Sequence, residues 1–103
     1  MPHYDLDIVR ELAKRKAIEY RGPKVRLNIA VLGYDLNDVA DCITQLTCRD
    51  FHKSTKYKSG EVDDVYKCIY TKINKEETVK DELFIKLSLY KDCLTIDLGS
   101  FHL

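Results

Sequence analysis

The N-terminal half of the chain spaces its hydrophobic residues three and four positions apart, as amphipathic helices do. Residues 4–16 predict a first helix, with Asp5 and Asp7 suited to capping its N-terminus. A further helix is predicted from residue 37 or 38 to residue 46, with Asn37 as its cap. Each of these helices carries one apolar stripe, so both should pack on a common core.

Residues 23–32, between these two helices, fit two patterns equally well. Pro23 suits the first position of a helix, and Gly33 suits its C-terminal stop. The apolar residues of this segment alternate as in a strand, yet several of them also fall on one face of a helix. The pattern alone leaves both conformations open.

The C-terminal half changes to a period of two and is rich in β-branched and aromatic residues. Residues 51–58 and 62–73 predict two strands joined by a tight turn, and residues 74–79 a polar loop. Residues 83–90 predict a long strand, and a turn at 91–92 leads to a last strand over residues 93–98. Helices followed by an antiparallel sheet predict an α+β fold with the helices on one face.

The length of 103 residues predicts one domain, with a single core and no room for a deep active-site cavity. No segment approaches the roughly 20 apolar residues of a membrane helix, and the N-terminus lacks a signal-peptide pattern. We therefore expect a cytoplasmic protein. The four cysteines lack metal-binding spacing, so we expect reduced, mostly buried thiols, no metal and no cofactor.

Positive charge is concentrated in two segments, although the formal net charge of the chain is zero. Residues 10–26 contain seven basic residues against two acidic ones, and residues 49–58 contain four against one. A phosphate backbone responds to such local fields whatever the total charge. A lysine-rich helix face that is simply solvated explains the first segment equally well.

Residues 46–55 are the most informative segment, because they place Lys53 between aromatic residues on a predicted strand. Phe84 and Lys86 are expected to share the exposed face of a later strand. Lysines contact phosphates and aromatic rings stack on unpaired bases, so such a surface suits single-stranded RNA. The candidate stacking residues are Tyr57, Tyr66, Tyr70, Phe84 and Tyr90, and Phe51 is expected in the core.

The chain resembles the MqsR family of bacterial toxins in the sequence Asp-Phe-x-Lys-Ser at residues 50–54, followed by Asp-Val-Tyr at residues 64–66. The similarity is best from residue 32 to residue 66, where it also includes Leu-Gly-Tyr-Asp at 32–35, and it continues more weakly through Phe-Ile-Lys at 84–86 and Ser-Phe-His at 100–102. The resemblance favours a helix for residues 23–32 and implies one RelE-like toxin domain over residues 1–103. It also implies an endoribonuclease that cleaves mRNA without a metal or the ribosome, and a cognate antitoxin as partner.

Three positions depart from the residues that are usual in the family. Asp63 stands where Gln is usual, Phe84 where Tyr is usual, and His102 where Lys is usual. The last exchange replaces a fixed cation with a group that takes up and releases protons near neutral pH. Related RelE-like toxins place a catalytic histidine near the C-terminus, which supports a catalytic role for His102.

Metal-free RNA cleavage uses the neighbouring 2′-hydroxyl as nucleophile, so the protein must move protons and stabilise charge on the phosphate. Lys53 is the candidate for phosphate contact and transition-state stabilisation, assisted by Lys56 or Lys86. His102 is the candidate general acid or base, with Asp63 or Tyr66 as its proton partner. The RNA-binding candidates are Lys56, Tyr57, Phe84 and Lys86.

The sequence leaves one alternative function open and disfavours another. A RelE-like module that has lost catalysis and binds RNA or a protein partner is favoured by Asp63 and Phe84. A DNA-binding repressor lacks support, because no helix-turn-helix pattern is present, so we expect no direct DNA binding by this chain alone. Individually, Lys53 also fits an ordinary solvent-facing residue, and His102 fits a frayed terminus.

Overall fold

In the computed structural model, which describes residues 1–73, 77–90 and 93–103, three helices cover one face of a five-stranded sheet. The helices are α1 (Leu6–Lys14), α2 (Pro23–Leu32) and α3 (Leu36–Thr44), with a short 3-10 turn at Cys48–Asp50. The strands are β1 (Ile18–Tyr20), β2 (Phe51–Lys56), β3 (Val62–Ile73), β4 (Thr78–Leu89) and β5 (Ile96–His102). The predicted α+β fold with helices on one face is confirmed.

The strands follow the order β1-β5-β4-β3-β2 across the sheet. Every neighbouring pair is antiparallel except β1 and β5, which run parallel with Ile18 opposite Ile96. The sequence did not predict β1. Three residues are too short to show a period, and their partner strand lies more than seventy residues away in the chain.

The helix ends follow from their caps. Asp5 caps α1 by accepting a hydrogen bond from the backbone of Asp7. Segment 23–32 is a helix, and it ends at Gly33, whose φ of 76° lies in the left-handed region. The prediction of Asn37 as the cap of α3 was wrong, because Asp35 caps this helix in a reciprocal capping box with Asp38.

The strand ends differ from prediction in the C-terminal half. β2 ends at Lys56, and β4 begins at Thr78, inside the segment that we predicted as a loop. The last strand covers Ile96–His102 rather than residues 93–98, since Cys93 has a φ of 56° and turns the chain. Residues 74–76 of the predicted loop and the predicted turn at 91–92 lie outside the described residues.

The core lies between the helices and the sheet, and the other face of the sheet is uncovered by any described helix. We call this second face the open sheet face. Asp64 is fully buried on the helix side, where its carboxylate accepts hydrogen bonds from the backbone N–H groups of His3 and Tyr4 and from the Ser54 hydroxyl. This carboxylate ties the N-terminal segment to β2 and β3. None of the helices in the described ranges has the length and apolar character needed to cross a membrane.

Candidate nucleic-acid interface

Four residues lie side by side across the open sheet face. Lys53 of β2 is opposite Val65 of β3, Val65 is opposite Lys86 of β4, and Lys86 is opposite Ser100 of β5. Neighbouring strands are about 4.8 Å apart, so the Lys53 and Lys86 backbones are separated by about 10 Å. Lys53 is exposed and Lys86 half-buried, while Val65 between them is only 1% exposed. The two ammonium groups can therefore reach the same short stretch of phosphate backbone.

The next row of the open sheet face brings an aromatic ring against an imidazole. His102 is opposite Phe84, and their rings stack with centroids 5.2 Å apart and an interplanar angle of 18°. His102 is a member of β5 and half-buried, so it does not belong to a frayed terminus. As diagonal neighbours across one strand pair, His102 and Lys86 have backbones about 7–8 Å apart.

A shallow groove runs beside this ring pair. Lys67 on β3 is exposed and opposite Phe84, and it adds a cation that sequence reasoning missed. The groove is lined by Asp50, Lys67, Ile69, Glu82, Phe84 and His102. The imidazole Nδ1 lies 2.8 Å from the carbonyl oxygen of Leu103, and Nε2 has no hydrogen-bond partner among the described residues. A ring nitrogen is thus available for proton transfer at the wall of an open groove.

Arg21, which no sequence pattern singled out, directly follows β1 and lies over the open sheet face beside the first half of β5. Its two terminal nitrogens donate to the carboxylate of Asp63 at 2.7 and 2.9 Å, and Nε donates to Asp97 at 2.9 Å. A Cβ built on Gly99 would come within 2.5 Å of an Arg21 nitrogen, so a side chain at this position would displace the guanidinium from its present place. Gly99 inside a strand was the signal for this close approach.

Asp63 is buried on the open sheet face and is held as an ion. Burial alone would raise the pKa of Asp63, but hydrogen bonds from Arg21 and Tyr57 and the charges of Arg21 and Lys86 outweigh it and lower the pKa. The Tyr57 hydroxyl donates to Asp63 at 2.8 Å, which is the main cause of the raised pKa of Tyr57. A carboxylate with these partners is poorly suited to exchanging protons with His102.

The structure does not bring Tyr66 to this surface. Tyr66 is fully buried on the helix side of the sheet, with its ring edge-to-face against Phe51 at 5.7 Å. Its hydroxyl is buried without a hydrogen-bond partner in the described part of the chain, and burial is the main cause of its raised pKa. Tyr70 is also a core residue, with its hydroxyl donating to Asp41. Phe51 is only partly buried, at the edge of the core.

Lys56 also lies away from the other candidates. It is opposite Val62, on the side of β2 that Ser54 shares, because successive side chains of a strand alternate between faces. Ser54 donates to the buried Asp64, which marks that side as the helix side. Of the predicted residues, the open sheet face therefore brings together Lys53, Lys86, Phe84 and His102. Asp63 and Tyr57 lie beside them with Arg21 and Asp97, in what we call the Arg21 cluster.

Within the described residues, no three His, Cys, Asp or Glu side chains are grouped as metal ligands would be. A protein-family model described as "Motility quorum-sensing regulator, toxin of MqsA" matches residues 1–102. No curated protein matched the chain. The family match extends over all five strands and so includes every residue of the open sheet face.

Proposed function

Because the chain belongs to the MqsR toxin family, we propose that it is a cytoplasmic endoribonuclease that cleaves mRNA and that a cognate antitoxin neutralises. The observation that supports this proposal is the register of the open sheet face. It aligns Lys53 with Lys86 and sets the stacked Phe84 and His102 in the next row. Cations beside flat rings are the features that single-stranded RNA requires of a binding surface.

The reaction that these residues suit is attack by the 2′-hydroxyl of RNA on the adjacent phosphorus. The 2′-oxygen loses its proton and bonds to phosphorus, and the bond from phosphorus to the 5′-oxygen breaks as that oxygen gains a proton. Lys53 and Lys86 stabilise the additional negative charge on the phosphate oxygens. The products are a 2′,3′-cyclic phosphate and a 5′-hydroxyl, so the reaction needs neither a metal nor the ribosome.

His102 carries one of the two proton transfers, as general acid or general base. Its imidazole is held by stacking on Phe84 and by the contact of Nδ1 with the Leu103 carbonyl, so Nε2 is the ring nitrogen left for the transfer. Phe84 lacks a hydroxyl and acts as a stacking platform for a base. Asp63 and Tyr66 have no proton-transfer role in this proposal, since one is ion-paired and the other lies in the core.

Purified protein incubated with a mixed RNA in the presence of a metal chelator tests the proposal. We expect fragments that end in cyclic phosphate, and at least a 100-fold lower rate for Lys53→Ala and for His102→Ala. Lys56→Ala is the matched control, because it removes a lysine from the same strand but from the other face. Equal rates for Lys53→Ala, His102→Ala and the wild type would contradict the site assignment.

The second candidate function is an RNA-binding module without catalysis. The Arg21 and Tyr57 bonds to Asp63 favour it, because they occupy the carboxylate at the position where the family usually has a glutamine. This function would be supported over the first if the protein binds RNA and the RNA stays uncleaved after prolonged incubation. Lys53→Ala should then weaken the binding.

A further inference from the structure

Helix α2 is apolar on two opposite faces. Val25 and Ile29 are buried in the core, as one apolar stripe of a surface helix should be. On the opposite side Leu27 and Val31 are 63% and 78% exposed, and Pro23 and Ala30 beside them are also exposed. A helix with apolar residues on both sides is normally covered on both, so the outer stripe of α2 lacks a partner in the described chain.

The outer stripe continues into a groove and onto the next helix. The groove separates α2 from β1 and is lined by Tyr20, Gly22, Pro23, Arg26, Leu27 and Ala30. Leu36, at the start of α3, is 38% exposed and adjoins Tyr20 and Arg26. The outer stripe, the groove and Leu36 together form a surface that can accept several apolar side chains in a row.

Two cations flank the outer stripe. At 100° per residue, Lys24 and Arg26 project to either side of the line through Leu27 and Val31. α2 contains no acidic residue, and Lys24 makes no ion pair with any described residue, whereas Arg26 lies over the Tyr20 ring at 5.2 Å. An apolar stripe between two cations complements an apolar segment that carries carboxylates at its edges.

The charge pattern argues against two other occupants. A two-fold contact between two copies would set the same patch against itself and bring Lys24 and Arg26 against their own counterparts. RNA would find cations but mostly aliphatic side chains, which offer no stacking surface to its bases. A protein partner with acidic residues beside apolar ones can cover the apolar stripe and pair with the two cations that flank it.

We propose that the outer stripe of α2, with its groove, is the docking surface for the antitoxin, which binds through an apolar segment flanked by aspartate or glutamate. This inference rests on the antitoxin partner of the proposed function. The surface lies on the helical side of the molecule, whereas Lys53, Lys86 and His102 lie on the open sheet face. Substitutions in the outer stripe therefore affect antitoxin binding and leave RNA cleavage unchanged.

The test is calorimetric titration of the full-length chain with the purified protein encoded beside it. We expect the double variant Leu27→Glu and Val31→Glu to bind at least 100-fold more weakly, and Lys24→Glu with Arg26→Glu at least 10-fold more weakly. Ile73→Glu is the matched control, because Ile73 is 77% exposed but lies at the end of β3, outside the groove beside Phe84 and His102, and this variant should bind as the wild type does. Thermal melting of each variant verifies its folding.

Several results would overturn the inference. One is a folded outer-stripe variant that binds the antitoxin as tightly as the wild type does. Another is a wild-type chain that forms no complex with the antitoxin. A third is a wild-type chain that sediments as a dimer while the outer-stripe variant sediments as a monomer. Loss of RNA binding in that variant would also overturn it. RNA cleavage is measured on the same samples, so failure of the docking surface is distinguished from failure of the proposed enzyme activity.

Discussion

The hydroxyl groups of two core tyrosines differ in one respect that can be measured. The Tyr66 hydroxyl is buried with no hydrogen-bond partner among the described residues, whereas the Tyr70 hydroxyl donates to Asp41 at 2.7 Å. An unsatisfied buried hydroxyl costs about 1 kcal/mol or more, and a satisfied one contributes about as much. The two side chains therefore respond in opposite directions to the same substitution.

We expect Tyr66→Phe to keep or slightly raise the free energy of unfolding and to leave RNA cleavage unchanged. Tyr70→Phe should lower the free energy of unfolding by about 1 kcal/mol, because Asp41 loses a donor. Urea denaturation and the cleavage assay measure the two quantities. A large loss of cleavage in a fully folded Tyr66→Phe protein would show that the phenol acts in catalysis after all.

The sequence allowed some site residues to be predicted and not others, and the difference has physical reasons. Strand alternation assigned Phe84 and Lys86 to one exposed face, whereas Lys53 and His102 were selected from the resemblance to the toxin family and from the proton chemistry of imidazole. Strand alternation could not assign Tyr66 to a face of the sheet, because residues 63–66 are all buried and do not alternate between buried and exposed positions. Arg21 could not be predicted as a site residue, because its partner Asp63 is 42 residues away and no local sequence pattern indicates such a pair.

At the scale of elements, boundaries were predictable where the chain has strong local signals. Pro23 and Gly33 delimit α2 at the predicted residues, because one fixes φ for a helix start and the other adopts positive φ at its end. β1 and the true start of β5 depend on pairing between distant segments. The single-sequence pattern could not supply that information.

The Arg21 cluster joins three elements, since it connects the segment after β1 to β3 and β5. The pKa of Asp63 is lowered in the folded protein, although burial opposes this, because Arg21 and Tyr57 donate to its carboxylate. A carboxylate with a lowered folded-state pKa stabilises the fold above its unfolded value of about 3.9. This stabilisation is lost as the pH falls through the folded-state pKa.

We expect the contribution of Asp63 to the free energy of unfolding to change little between pH 7 and about pH 5 and to decrease below about pH 4. Arg21→Ala should be less stable at pH 7 and should lose less further stability on acidification, because burial then raises the pKa of Asp63. Urea midpoints at four pH values from 6 to 3 measure both effects. Parallel pH profiles for the two proteins would contradict the assignment of Asp63 as the acid-sensitive group.

At the scale of the whole molecule, the formal net charge is zero, but the charges are unevenly distributed over the surface. On the open sheet face Lys53, Lys67 and Lys86 make no ion pair with any described residue, whereas Arg21 is neutralised by Asp63 and Asp97. These three lysines lie in adjoining rows beside Phe84 and are thus available to phosphates, while Lys80, opposite Thr71, is exposed farther along the same face. The expected RNA affinity depends on this local charge and not on the total.

Three phosphate contacts predict that the logarithm of the RNA association constant falls with the logarithm of salt concentration with a slope of about −2. Fluorescence anisotropy with single-stranded RNA that carries 2′-O-methyl sugars measures this slope without cleavage, because the nucleophile is blocked. Lys53→Ala should make the slope shallower by about 0.7, since one contact is lost. Lys56→Ala should leave the slope unchanged, because Lys56 lies on the helix side of β2. Equal changes for both variants would mean that RNA does not distinguish the two faces of the strand, and the open sheet face would then not be its binding surface.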